Sequence, residues 1–305
     1  MTQTKKKKPI RKRRILFILF GITVPIINWL IFYVYTNFSS IMMAFTNGDG
    51  QLSIANFLKF FDEFTMETSQ IREAFRNTFI TFGILFVTFP FKVLVSYFIY
   101  KKIPFHRFYR IVFFIPTIVF SVAVSMVFTQ LVGVDGIIAQ GVQKWANLDY
   151  TPDLLADTKY ANLVVLLNMM WLSFPGDLII WGGAFARIPE DVLESGKIDG
   201  VTWWTEFTKI IVPMVWPTVA LQMVLLFCSL FGASGNVFLL TEGRYGTMTL
   251  NAWMYITLYR SSGTMYTSNV YNYMSAVGLM ITTVAIIVSL LVRRFTDKVF
   301  EEVEY

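Results

Sequence analysis

The residues best placed to do chemistry are the polar and charged side chains set inside apolar stretches, because each is costly in a membrane interior unless paired or used. Lys92 and Asp177 are the two clear charges of that kind. Lys92 stands nine positions before Lys101 and Asp177 ten before Arg187, so at ~1.5 Å per residue both lie roughly 13–15 Å from the same end of their spans. Equal depth and opposite sign predict an ion pair; the alternative is a Lys92 that snorkels to the interface. A second set suits a sugar, whose hydroxyls and C–H faces call for hydrogen-bonding groups beside aromatic rings. Asn168 and Trp171 share a helical face by spacing, and Ser229, Ala233 and Asn236 recur at helical intervals with Phe231 nearby. Asn236 falls close to the outer end of its span, where a gate is the other role. Plain helix packing competes with the sugar reading for all of these.

Covalent and metal chemistry are poorly supplied. His106 is the one histidine and Cys228 the one cysteine, which leaves no set of ligands for a zinc site and no disulfide within the chain. The one Gly-Lys pair, Gly196-Lys197, is followed by Ile198 and has no glycine at position 191, so the loop that cradles nucleotide phosphates is absent. Nucleotide binding of that kind is therefore not expected of this chain.

The elements that position these residues follow from composition and hydropathy. With 305 residues, 55% hydrophobic, 17% aromatic and 15% charged, the chain has the make-up of a membrane protein. Apolar stretches, the first of them without a charge, place spans at 15–35, about 77–100, 111–132, 161–186, about 214–240 and about 271–292. The fourth is expected to be interrupted at Pro175, Gly176 and Asp177. A first external loop occupies 37–74, with a turn at Asn47-Gly48-Asp49-Gly50 and a surface helix near 57–64. The expected class is an all-α polytopic membrane protein with six transmembrane helices and both termini cytoplasmic. It is organised as a basic N-terminus (1–14), a permease body (15–292) carrying the loop 187–213, and a tail (293–305).

Charge sets the orientation. Lys5, Lys6, Lys7, Lys8, Arg11, Lys12, Arg13 and Arg14 precede the first span, and further basic residues fill 101–110, 187–213 and the tail. The other face carries only Lys59, Arg72, Arg76, Lys144, Lys159, Arg244 and Arg260. The positive-inside rule then puts both termini and the loop 187–213 in the cytoplasm. A nucleic-acid patch fits this N-terminal cluster less well, because an apolar span follows it directly. A secretory signal peptide would have a shorter apolar core and a small-residue cleavage site.

Residues 188–217 form a charged interval between apolar spans and read as two short helices joined by a turn. Pro189 suits a first helical position, Glu190 and Asp191 suit the positive end of the helix dipole, and Gly200 supplies the break. Ser195 and Gly196 leave a thin face, and Phe207, Ile210, Ile211 and Met214 mark a second periodic stretch ahead of Pro213 and Pro217. Glu194-Ser195-Gly196, then Gly200, then Ile210-Ile211-Val212-Pro213 resembles in spacing the EAA signature of inner-membrane permease subunits of ABC importers. Gly196 replaces the second alanine and Val212 the usual leucine. Asn56-Phe57, Phe75-Arg76-Asn77-Thr78, Phe113-Phe114-Ile115-Pro116, Leu240-Thr241-Glu242-Gly243 and Ser275-Ala276 are similar to landmarks of maltose-type carbohydrate permeases. The N-terminal ones among them favour the first of the two permease partners over the second. The stretch Glu242-Gly243-Arg244 departs from the Gly-Gly-Pro usual there.

This resemblance implies a mechanical role. Residues 189–199 would seat in a cleft of a cytoplasmic ATPase, with Glu194, Ser195, Gly196, Asp199, Gly200 and Pro213 as coupling residues. Closure of two ATPases would then swing a pair of permeases between inward-facing and outward-facing states. The implied partners are a second, related permease, two ATP-binding subunits, an extracellular substrate-binding protein, a carbohydrate, and membrane lipid, with no nucleic acid. ATP and Mg would be bound by the ATPases, with no cofactor in this chain, which is then no enzyme itself. The implied location is a bacterial or archaeal cell membrane. Other solutes for such an importer are glycerol phosphate, a polyamine or a peptide. A self-sufficient secondary carrier would need an internal repeat or coupling-ion carboxylates at the midplane, and a membrane anchor or sensor would not need a folded loop of this spacing.

Overall fold

In the structure, a computed structural model, residues 12–66, 69–232, 236–261 and 267–299 are described. Lys5, Lys6, Lys7, Lys8, Arg11, Ala233 and the last six residues lie outside them. Every regular element among the described residues is helical. Five helices are long and apolar enough to cross a membrane, and six spans result if a bent pair counts as one.

The chain falls into two compact units, Met1–Phe61 with Gly263–Leu279 and Asp62–Ser262 with Met280–Tyr305. In the first, α1 (Lys12–Trp29) passes through a π-helical segment (Leu30–Tyr35) into α2 (Thr36–Ala44), and α3 (Ala55–Thr65) begins after a tight loop. Asn47 Oδ1 accepts from the backbone N–H of Asp49 and Gln51, and Gly50 takes φ +78°, so the Asn-Gly-Asp-Gly turn forms as its composition predicts. Asn56 closes the loop by donating to the carbonyls of Ala44 and Thr46.

The second unit holds α4 (Gln70–Tyr100), α5 (His106–Ile118), α6 (Ser121–Val132), α7 (Ile137–Trp145), α8 (Ala161–Phe185), α9 (Glu190–Ile198) and α10 (Trp203–Glu206). A π-helical segment (Phe207–Ile211) leads to α11 (Val212–Met214), α12 (Trp216–Cys228), α13 (Val237–Leu240) and α14 (Leu250–Ser261). The last helix, α15 (Thr267–Val299), enters both units. Side by side, α4 and α8 form the spine, with α5 against α8 and α14 against α4.

Three spans differ from expectation. The stretch 111–132 is not one helix: Val119 and Phe120 are extended, at ψ 140° and 132°, and the membrane-length run is Ser121–Trp145. Pro116 lies three residues before that break and has no N–H to extend the preceding helix. In contrast, α8 runs unbroken through Pro175, Gly176 and Asp177. A proline removes one donor, and a helix packed along a neighbour tolerates that loss. The fifth span is shorter than 214–240. Its helix α12 meets the Trp203–Met214 segment at a 76° bend and stops at Cys228. Pro217, in the first turn of α12, pre-sets the restart.

Candidate functional site

The loop between α8 and α12 is folded against the helices that it joins. Pro189 is the residue before the helix, at φ −59° and ψ 135°, so Glu190 and Asp191 occupy the first turn. At the other end, the N–H of Gly200 donates to the Lys197 carbonyl and that of Val201 to the Gly196 carbonyl, with Asp199 as the cap and Gly200 at φ +70°. This pair of bonds is a Schellman ending, which needs a left-handed residue where glycine carries no Cβ penalty. Thr202 then caps α10 by accepting from the Thr205 N–H.

The thin face is used inside the chain. Gly196 is buried, and a Cβ there would come within 3.2 Å of Ile210 Cδ1. Its neighbours Glu194 and Ser195 are exposed, as are Asp199 and Gly200, while Pro213 is half-buried. Beside them Ile198 is 87% exposed and Trp203 and Trp204 are about half exposed. Exposed apolar groups of this size on a polar loop mark a surface for contact with another protein or with the membrane.

Leu193, Phe207, Ile211 and Val215 of the loop join Val93 and Tyr97 of α4 and Trp181, Ala184 and Phe185 of α8 in one buried cluster. A charge locks it. Glu206 is buried and accepts from Lys101 Nζ at 2.6 and 2.9 Å and from the Tyr97 hydroxyl at 3.2 Å. In the sequence Lys101 marks only orientation and the depth of Lys92, and Glu206, close to two Trp residues on a polar loop, carries no sign of burial. Removing one partner of a fully buried pair costs ~3–5 kcal/mol. The Lys101 side chain is 27% exposed, so the cost should be nearer about 2 kcal/mol. Glu206→Ala is therefore expected to speed tryptic cleavage at Lys197 and Lys209 in detergent-solubilised protein, with membrane insertion unchanged. Cleavage no faster than in the parent would show that the pair does not hold the loop.

Deeper in the same unit, Lys92 Nζ lies 2.9 Å from Asp177 Oδ2, joining α4 to α8. Gln222 of α12 donates to Asp177 Oδ1 at 3.4 Å, and the Phe174 ring centroid lies 5.9 Å from the Lys92 ammonium. Three helices thus meet at one polar cluster. Lys92 does not snorkel; its side chain is 8% exposed.

The sugar-type residues are placed separately. Asn168 is fully buried, and neither its Oδ1 nor its Nδ2 has a hydrogen-bond partner. One turn on, Trp171 is 39% exposed and stacks on Phe128. The Ser229 hydroxyl turns back to the Leu226 carbonyl, and Asn236 donates to Ser125 Oγ at 3.0 Å. Phe231 packs edge-on against Phe75 and Phe79, so it serves an aromatic seam with α4. Spacing put Asn168 and Trp171 on one face, but a 39% exposed indole and a fully buried amide do not line a common surface in this conformation.

Two landmarks explain each other. Asn77 donates to the carbonyls of Gly246 and Met248, and Thr78 Oγ1 accepts from the Leu250 N–H. Thr241 and Thr247 share a 2.6 Å hydroxyl bond within the same turn. Asn77 and Thr78, two turns into α4, therefore pin the far end of the turn that begins at Thr241, whose Glu242, Gly243, Tyr245 and Gly246 all take positive φ. The Glu242–Arg244 ion pair is exposed on both sides and adds little.

The family model described as binding-protein-dependent transport system inner membrane component matches residues 100–301. The multiple sugar-binding transport system permease protein MsmF of Streptococcus mutans is 22% identical over 277 residues, covering 90% of this chain and 93% of that protein. The lactose transport system permease protein LacF of Rhizobium radiobacter is 23% identical over 163 residues, 52% of this chain and 55% of that one. The chain thus spans about half of one relative and nearly all of the other. A bacterial ABC transporter involved in importing the acidic polysaccharide alginate superposes with a TM-score of 0.77 at 19% identity, covering 93% of this chain and 96% of that chain. The fold is shared with it.

Proposed function

Because the chain belongs to the binding-protein-dependent transport system inner membrane component family, and is a multi-pass membrane protein, we propose that it is a permease subunit of an ATP-driven carbohydrate importer. Its partners would be a second permease, two ATPases that bind ATP and Mg, and an external binding protein that delivers the sugar, in a bacterial or archaeal cell membrane. Relatives named for multiple sugars, lactose and galactooligosaccharides support the substrate class. An oligosaccharide is the substrate that fits them jointly.

The carrying observation is the loop. Exposed Glu194, Ser195, Ile198, Trp203 and Trp204 offer an ATPase both polar and apolar contacts, while Leu193, Phe207 and Ile211 root the same loop in α4 and α8. A push on α9 then passes through Phe207, Ile211 and the Lys101–Glu206 lock into α4 and α8, and through the 76° bend into α12. Rigid packed elements transmit displacement because a close-packed core has few voids to absorb it. Stimulation of ATPase activity in the purified complex by a panel of oligosaccharide-loaded binding proteins tests the reading. Stimulation by some loaded sugars supports it, and stimulation only by a polyamine, peptide or glycerol phosphate system sinks it.

Asn168 gives a sharper test of the substrate path. A buried amide without partners costs about 1–3 kcal/mol, and an apolar group of similar shape removes that cost. Asn168→Leu is expected to raise thermal stability and lower sugar uptake, because the amide is used only in another state of the cycle. Trp171→Ala should lower uptake with basal ATPase activity intact. Unchanged uptake in both variants would move the site to the second permease.

A further inference from the structure

A cleft of about 400 Å³ lies between the end of α4, the start of α5 and the end of α8. It falls within the ~300–1,000 Å³ range of ligand pockets. Its lining is graded from one end to the other. Tyr100 stands next to the 101–105 joint and Arg110 one turn into α5, whereas Phe114 lies one turn further along it, and Leu178, Ile179 and Gly182 lie along α8. The other polar group in the lining, the Ser96 hydroxyl, already donates to the Lys92 carbonyl. A neutral sugar needs several free hydrogen-bonding groups and finds few here.

Arg110 is exposed and makes no ion pair among the described residues. Lys101, in the same joint, is held by Glu206. Past Arg110 the free face of α5 is apolar, with Ile111 61%, Ile115 49% and Ile118 80% exposed. The cation therefore sits near the level at which α4 and α8 end, at one end of an apolar trough continuous with the exposed apolar face of α5. Basic residues at this level attract anionic headgroups.

We infer that this cleft holds an anionic glycerophospholipid, its phosphate on the Arg110 guanidinium and one acyl chain laid over Gly182. An arginine fork matches phosphate oxygens in pairs. The absence of a side chain at position 182 leaves the trough open, since no atom lies within 4 Å of a Cβ built there. Occupancy would tie α5 to α8 across the joint. The inference rests on membrane embedding alone and is independent of the transported substrate.

The test uses the full complex in nanodiscs of phosphatidylcholine, alone or mixed with phosphatidylglycerol, followed by native mass spectrometry of retained lipid. The parent should retain phosphatidylglycerol in preference to phosphatidylcholine. Arg110→Gln should lower that preference roughly fivefold, and Arg110→Lys should keep most of it. Gly182→Leu should expel lipid of either kind, whereas Lys144→Gln, away from the cleft, should change nothing. Undiminished phosphatidylglycerol retention in both Arg110→Gln and Gly182→Leu overturns the inference. So does efficient crosslinking of Gly182→Cys to the second permease, which would mean that protein fills the cleft.

Discussion

Gly200→Val is expected to leave the chain inserted in the membrane and abolish ATP-driven uptake, with Gly200→Ala intermediate and Gly200→Asn close to the parent. The order follows from backbone conformation, because the residue sits at φ +70° with nothing within 4 Å of a built Cβ. No clash is involved. A β-branched residue in the left-handed region is a genuine outlier, and such strain costs about 1–3 kcal/mol, whereas asparagine tolerates that region. Relief would open the two hydrogen bonds of the ending, Gly200 to Lys197 and Val201 to Gly196. The exposed face of α9 would then no longer be held in register with the buried Phe207 and Ile211. Uptake measured in cells, with membrane insertion checked by fractionation, decides it; normal uptake by Gly200→Val removes the loop from the coupling path.

The second large effect is expected at the intramembrane cluster. Lys92→Met strands Asp177, whose carboxylate then has, among the described residues, only the 3.4 Å bond from Gln222. Breaking a buried pair by removing one side costs ~3–5 kcal/mol, and the lower end applies because Asp177 is 23% exposed. Lys92→Met should therefore lose folded protein and uptake together. The double exchange Lys92→Asp with Asp177→Lys should recover part of both, and a double-mutant cycle isolates the pair. Recovery will be incomplete, because Phe174 lies on the present side of the ammonium and Gln222 is aimed at the present carboxylate. A double variant no better than either single one would show that the 2.9 Å contact does not stabilise the protein.

The all-helical membrane class, Gly200 and the approach of Lys92 to Asp177 were legible because each follows from a local rule: hydropathy, a glycine after a helical run, or depth counted along a helix. What the sequence hid depends on packing between distant segments. Glu206 looks like a surface carboxylate until Lys101 and Tyr97, more than a hundred residues earlier, close over it. Gly196 suggests a face for a partner, yet Ile210 fills it. Proline was read too strongly at Pro175, where α8 continues, and too weakly at Pro116, where α5 ends within two residues. The difference is support: α8 is packed along α4, whereas much of α5 is exposed. Among the sugar-type residues, helical spacing could not tell a buried amide from an exposed indole, because burial depends on which neighbours arrive.

The most direct test of the central claim is uptake of labelled oligosaccharide into proteoliposomes that contain this chain with its second permease and ATPases, with binding protein outside and ATP sealed within. Uptake should require ATP and loaded binding protein, be insensitive to collapse of ion gradients, and disappear in Gly200→Val. Sugar uptake by this chain alone, driven by a proton or sodium gradient without ATP, would contradict it and make the chain a self-sufficient carrier.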